Sequence, residues 1–260
     1  MPTPDTRVSG TAHPVGCQQN SSASGPRPGT APASPRPRRV RSRIGIGLAG
    51  GFYPAPHRYD LYLSVCCPRS LRVSITLDLL GLGGSVATTL LTHPAGTPDG
   101  FTSLRRAYEA TTHRYDGPLT VPALRDRWSG RIVSNHTPDI LRDLAGPLSG
   151  GDGARASVLG PPSLAPDIDA LRDVLDRDVT PAAPPSRRSA ALDLLNRQLA
   201  GRAYVLGHEL TAADVDLWVA LVHLGPVGAL RSYSRLQDYV RRLGDHPAFR
   251  VTAEPEHRAA

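Results

Sequence analysis

Residues 58–71 read Arg58-Tyr59-Asp60-Leu61-Tyr62-Leu63-Ser64-Val65-Cys66-Cys67-Pro68-Arg69-Ser70-Leu71, and a change of period inside this stretch decides the fold. From Asp60 to Cys66 the residues alternate, with Leu61, Leu63 and Val65 on one face and Tyr62, Ser64 and Cys66 on the other. That predicts a strand, with Cys66 belonging to it and facing the interior. After Cys67-Pro68-Arg69-Ser70 the period lengthens. Leu71, Ile75 and Leu79 fall at i, i+4 and i+8, while Val73 and Leu77 widen the buried face. A helix is expected to Leu80, ended by Gly81 and Gly83. Ser85 to Leu91 then reads as a second strand, followed by a loop from His93 to Gly100.

Further along, Leu119 to Leu124 is apolar and β-prone although Pro122 interrupts it. Arg131 to Ser134 follows across a turn at Asp126 to Gly130, which predicts a hairpin. Asn135-His136-Thr137-Pro138-Asp139 has the form of a helix start, with Thr137 as N-cap and Pro138 at the first helical position. The layout to this point is β-α-β followed by β-β-α.

Beyond Ala145 the composition changes. Gly146 to Pro166 is a Gly/Pro/Ser linker, and the rest is helical. Ile168, Leu171 and Leu175 make one stripe; Leu192, Leu195 and Leu199 make another. Thr211 and Asp214 form a capping-box-like pair that introduces Val215, Trp218, Val219 and Val222. Leu236, Tyr239, Val240 and Leu243 mark a final helix. The expected organisation is a disordered tail over 1–50, an α/β domain over 51–145, a linker over 146–166, an all-helical domain over 167–250 and a second tail over 251–260.

With 260 residues and 40% hydrophobic content, the chain can bury a sizeable core. Its composition excludes a collagen, a coiled coil and a disulfide-stapled miniprotein. No stretch approaches the roughly 20 apolar residues of a membrane helix. Every basic residue is Arg. Eight of them precede Tyr59 against one acid, Asp5, and this accounts for the whole net charge of +7. The remaining 22 Arg and 22 acidic residues cancel. Only the run Arg36 to Arg43 could serve an anionic partner, and it sits in a Pro/Ser/Gly-rich segment without hydrophobic period, so a solvated tail is expected and nucleic acid is not. The same segment lacks the apolar region of a secretory signal. Three cysteines, two of them adjacent, make no disulfide framework. A reducing cytoplasm follows as the expected location.

The strongest chemical feature is a cysteine between a strand and a helix, with Pro next. A helix N-terminus carries unpaired N–H groups and partial positive charge, which favour thiolate over thiol. Arg69 and Arg72 would add to that field, so Cys67 is the expected nucleophile. Val121-Pro122 is the second feature: a cis peptide at the opening of a strand would leave the Val121 backbone free to pair with an extended thiol. The third is His136-Thr137, where a capped helix N-terminus can hold a carboxylate. Read singly, each also has an ordinary structural explanation.

Taken in order, Arg58-Tyr59-Asp60-Leu61-Tyr62-Leu63-Ser64, Cys66-Cys67-Pro68, Leu104-Arg105-Arg106-Ala107-Tyr108, Tyr115-Asp116-Gly117, Thr120-Val121-Pro122-Ala123-Leu124, Ile132-Val133-Ser134-Asn135 and Leu210-Thr211-Ala212-Ala213-Asp214 resemble the glutathione transferase superfamily. The branch they look most like is the xi class, the glutathionyl-hydroquinone reductases. The resemblance implies a thioredoxin-like α/β domain (βαββα core) followed by an all-α domain. It also implies a homodimer and a small-molecule thiol with an electrophilic substrate, without a metal. Carried over, Cys67 attacks the sulfur of a glutathionyl adduct, Val121 pairs with the thiol's cysteinyl backbone, and Thr137 holds a carboxylate. Thr120 and Pro122 flank that pairing residue.

The departures are specific. Arg69 stands where the family usually has Trp, and Phe101 follows Gly100 where it has Gly-Trp. His136-Thr137 replaces the Glu-Ser pair that grips the γ-glutamyl group. A neutral His cannot replace Glu opposite an ammonium group, a loss on the order of 2 kcal/mol. No catalytic tyrosine of the helical domain can be placed; Thr180 and its Pro-rich neighbours lie near the expected position. Abundant Arg, Ala, Gly and Pro with no Lys suggests a high-GC genome, and many actinobacteria use mycothiol, which lacks the γ-glutamyl amine. The co-substrate is therefore glutathione or mycothiol. The competing reading is a catalytically degenerate binding protein of the same fold.

Overall fold

In a computed structural model the structure describes residues 38–45, 51–64, 66–92, 98–150, 159–224 and 230–250. The first half runs β1 (Tyr59–Leu63), α1 (Pro68–Leu79), β2 (Ala87–Leu90), α2 (Pro98–Thr111), β3 (Ala123–Asp126), β4 (Ile132–Ser134) and α3 (Thr137–Ala145). The sheet order is β2-β1-β3-β4. Strand β1 is parallel to β2, with Leu61 opposite Thr88, and antiparallel to β3, with Leu61 opposite Leu124. Strand β4 returns antiparallel to β3.

All five residues of β1 are buried because the strand is covered on both faces. Tyr59, Leu61 and Leu63 join Val73 and Leu77 of α1 and Ile140 and Leu144 of α3. Tyr62 turns the other way, onto Leu104, Ala107 and Tyr108 of α2. The alternation in the sequence thus assigns faces correctly, but to a strand that ends at Leu63. Beyond it, the Cys67 N–H donates to the Ser64 carbonyl at 3.2 Å, and the chain has left the sheet. Cys66 lies exposed in that turn, so its expected place in the strand facing the interior is corrected; Val65 lies outside the described residues.

Other expectations shift as well. Helix α2 was not anticipated, and Pro98–Gly100, expected in a loop, form its first turn. Strand β3 begins at Ala123 rather than Leu119. At α3 the N-cap is His136, and Thr137 is already helical.

The largest correction concerns the N-terminal segment, expected to be disordered through residue 50. Arg41 forms an antiparallel bridge with Ser134 at the edge of β4. The Asn135 N–H donates to the Val40 carbonyl at 3.1 Å, and the Val40 N–H donates to Asn135 Oδ1 at 2.9 Å. Arg41 pairs with Asp139 at 2.8 Å, Arg43 with Asp143 at 2.7 Å, and Ile44 is buried. Two arginines of the basic run therefore neutralise carboxylates of α3. Residues 1–37 lie outside the described part.

The second half contains α4 (Ala165–Asp178), α5 (Pro185–Gln198), α6 (Ala212–Val222) and α7 (Ser234–Gly244). Helix α4 starts inside the expected linker. Leu171 and Leu175, Leu192 and Leu195, Leu217 and Leu221, and Leu236 and Leu243 form its core, which Leu71 and Ile75 of α1 also enter. Helix α1 thus has the sheet on one side and the helical half on the other. At the start of α6 the buried Asp214 accepts from the Thr211 N–H, the Val205 N–H and the Tyr239 hydroxyl, each at 2.8 Å. This thioredoxin-like sheet followed by a helical half is the architecture the resemblance implied. Among the described residues no helix is long and apolar enough to cross a membrane.

Candidate active site

Because β3 is antiparallel to both β1 and β4, the end of β1, the start of β3 and the end of β4 meet at one end of the sheet. Cys67, Thr120-Val121-Pro122 and His136-Thr137 are all carried there. Cys67 is the N-cap of α1 (φ −99°, ψ 115°), and its carbonyl accepts the Leu71 N–H at 2.9 Å. No acidic residue stands in the first turn of α1 to offset the positive helix end. The thiol is half-buried, and Sγ donates to the Val121 carbonyl at 3.7 Å. The Val121-Pro122 peptide is cis. The hydroxyl of Ser70, one turn along α1, is buried without a hydrogen-bond partner among the described residues.

The other expected residues divide. Arg69 is exposed in the first turn of α1, on the same helix end as Cys67. Arg72 is not free to act on the thiol: its guanidinium lies 3.3 Å from Asp216 and 3.4 Å from Asp176. Phe101 packs against the α2 cluster containing Tyr62, Leu91 and Leu104. Thr137 is buried at the start of α3. His136 is drawn along its own helix, with Nδ1 3.1 Å from Asp139 Oδ2. The hydrogen bond from Arg41, aided by His136 and opposed by burial, holds the Asp139 carboxyl below the usual range. Thr180 lies at the end of α4, where its carbonyl accepts from Arg188 at 3.3 Å.

Sequence reasoning assigned no role to Tyr108, Tyr115 or Asn135. The Tyr108 hydroxyl donates to the Thr120 carbonyl at 3.0 Å and meets Thr120 Oγ1 at 2.8 Å. Tyr115 stacks on Tyr108 at 4.7 Å and donates to the Pro118 carbonyl at 2.6 Å. Its ring folds back over Gly117, where a Cβ would come within 2.8 Å of the hydroxyl. Asn135 Nδ2 donates to Tyr108 Oη and Thr120 Oγ1, each at 3.1 Å, and to the Arg38 carbonyl at 2.9 Å. These residues stood in the motifs quoted above, but nothing in their spacing told which loop they hold.

A cavity of about 600 Å³ lies elsewhere, between α1, α3, α4 and α6, bordered by Arg72, Thr76, Leu141, Ile168, Arg172 and Asp216. Burial pushes the Asp216 carboxyl up, against the pull of Arg172 and Arg72. Cys67 does not border this cavity.

Residues 186–242 match the family model of the glutathione S-transferase C-terminal domain. The chain is 27% identical over 247 residues to the glutathionyl-hydroquinone reductase YqjG of Escherichia coli, covering 80% of this chain and 75% of that protein. Among solved structures it is similar to the xi glutathione S-transferase of Phanerochaete chrysosporium, with 28% identity, a TM-score of 0.65 and coverage of 83% and 87%. It is likewise similar to the glutathione-bound structure of YqjG, with 25% identity, a TM-score of 0.66 and coverage of 82% and 83%.

Proposed function

From its likeness to the glutathione transferase superfamily, and within it to the xi class, we infer that this chain is a glutathione-dependent type of thiol enzyme. We propose that it removes or exchanges a low-molecular-weight thiol on a quinone-type or disulfide substrate through a mixed disulfide at Cys67. The observation that carries the reading is the half-exposed Cys67 sulfur at the N-terminus of α1, facing the Val121 backbone at 3.7 Å. In the first step the Cys67 thiolate attacks the substrate's thioether sulfur. An S–S bond forms, the S–C bond breaks, and the ring carbon keeps the electron pair and takes up a proton. A second thiol then attacks the mixed disulfide, leaving the free Cys67 thiolate and a small disulfide. Where the substrate is itself a disulfide, the leaving group is a thiolate.

Under this reading residues 51–145, with the docked segment 38–45, form the thiol-binding domain, and the helices from Ala165 to residue 250 form the helical domain. Val121 pairs with the backbone of the bound thiol, flanked by Thr120 and Pro122, and Thr137 at the start of α3 faces its carboxylate. Arg69 and Phe101 border the acceptor side. The thiol is glutathione or mycothiol, and the protein works in the cytoplasm as a homodimer. One observation favours the competing reading, a binding protein without turnover: His136, at the position that would grip a γ-glutamyl group, has its Nδ1 buried 3.1 Å from the Asp139 carboxylate. Turnover of a glutathionyl-hydroquinone separates the two. Cys67→Ser should abolish it and Cys66→Ser should leave it intact; no turnover by the unaltered protein with either thiol would leave the binding reading.

A further inference from the structure

The loop that presents Val121 is held by the side chains of Tyr108 and Asn135, and Asn135 is held in turn by backbone groups of residues 38–40. Tyr108 of α2 donates to the Thr120 carbonyl, one residue before Val121. Burial pushes the Tyr108 phenol up, so it stays protonated and remains a donor. Its oxygen accepts from Asn135, which sits between β4 and α3 and also reaches Thr120 Oγ1. Asn135 is itself fixed by the N-terminal segment: its Oδ1 accepts the Val40 N–H and its Nδ2 donates to the Arg38 carbonyl. Proton counting closes without conflict. The phenol donates once, the Thr120 hydroxyl donates to the phenol oxygen, and one Asn135 hydrogen goes to Arg38 while the other is shared. Tyr115, stacked on Tyr108, ties down Pro118 two residues earlier.

We propose that Tyr108 and Asn135 are positioning residues for thiol exchange. They fix the Thr120-Val121 backbone opposite Cys67, with residues 38–40 as the outer part of the same brace. This rests on the assignment of Val121 as the residue that pairs with the thiol. A backbone that must add a strand-like partner loses affinity when it has to be ordered on binding, whereas the sulfur of Cys67, set by α1, keeps its reactivity toward a reagent that needs no such pairing.

The test uses the full chain with Tyr108→Phe, Asn135→Ala and the double variant, and takes three readouts. One is the concentration dependence of mixed-disulfide formation with oxidised glutathione. Another is the rate of Cys67 alkylation by iodoacetamide, and the third is amide hydrogen exchange at Val40, whose N–H donates to Asn135 Oδ1. Each single variant should raise the half-saturating thiol concentration roughly tenfold while alkylation stays within about twofold. Val40 exchange should quicken by roughly tenfold or more. The double variant should be no worse than the weaker single one, since both act on one loop. Unchanged half-saturation, or half-saturation and alkylation moving together, would overturn the proposal. If the unaltered protein forms no mixed disulfide while Val40 exchange still quickens in the variants, the brace stands as structure and the functional reading beneath it fails. Should Tyr108→Phe not fold, Thr120→Val removes only the hydroxyl of the same network and must give the same split.

Discussion

Arg43→Ala tests whether the N-terminal segment is part of the folded unit. The Asp143 side chain is 0% exposed and that of Arg43 is 43% exposed, with Nε 2.7 Å from Oδ1. The other carboxylate oxygen accepts the Ile44 N–H at 3.2 Å. Depriving a fully buried ion of its partner costs about 3–5 kcal/mol. Here water reaches the guanidinium and screens the pair, which brings the expected loss to about 1–2 kcal/mol. The pH dependence has a definite sign. Burial already pushes the Asp143 carboxyl up, with Arg43 pulling it down; removing Arg43 raises it further. Above both folded values the variant is the less stable protein. Below both, Asp143 is neutral in either one and the difference disappears. Urea unfolding at about pH 7 should therefore show the full loss, and the gap should close toward about pH 3–4. Equal stability at neutral pH, or a gap that does not change with pH, would refute the docking of this segment through Arg43.

Asp214→Ala removes the carboxylate that accepts from four buried donors, the Val205 N–H, the Thr211 N–H and hydroxyl and the Tyr239 hydroxyl, and should cost about 4 kcal/mol or more in thermal or urea unfolding, from about 1–2 kcal/mol per donor; a loss below about 1 kcal/mol would contradict the capping role. Gly117→Ala places a Cβ 2.8 Å from the Tyr115 hydroxyl; it should destabilise by about 1–3 kcal/mol and weaken thiol saturation, and a silent variant would show that Tyr115 does not hold the loop. Asp139 behaves oppositely to Asp143. Its carboxyl is held below the usual range, chiefly by Arg41, so the stabilisation is complete above the unfolded value of about 3.9 and is lost as pH falls through the lower folded value. Carboxyl chemical shifts should show Asp139 titrating below Asp143, and the reverse order would contradict the geometry.

The central strand and α1 were legible because a period of two gives way to a period near 3.6 across Cys67-Pro68. The same reading ran past Leu63 because Ser64 and Cys66 continue the alternation after the backbone has turned away. Helix α2 escaped notice because only Leu104, Ala107 and Tyr108 of its residues are buried, too thin a stripe among Arg, Glu and Thr to register. Residues 38–45 carry no local signal at all. Their order comes from Ser134, Asn135, Asp139 and Asp143, more than ninety positions away in sequence. At the site, Cys67 and Val121 could be named from the motif, since strand ends and helix starts fix their place. The engagement of His136 by Asp139 and of Arg72 by Asp216 depends on side chains that converge only in the folded chain.

The most direct test of a thiol-exchanging Cys67 is intact-protein mass spectrometry with peptide mapping after incubation with oxidised glutathione and, separately, oxidised mycothiol. A single adduct on Cys67, absent from Cys67→Ser and removed by the free thiol, is the predicted result, and its mass identifies the co-substrate. Adducts confined to Cys17 or Cys66, or no adduct with either disulfide, would contradict it.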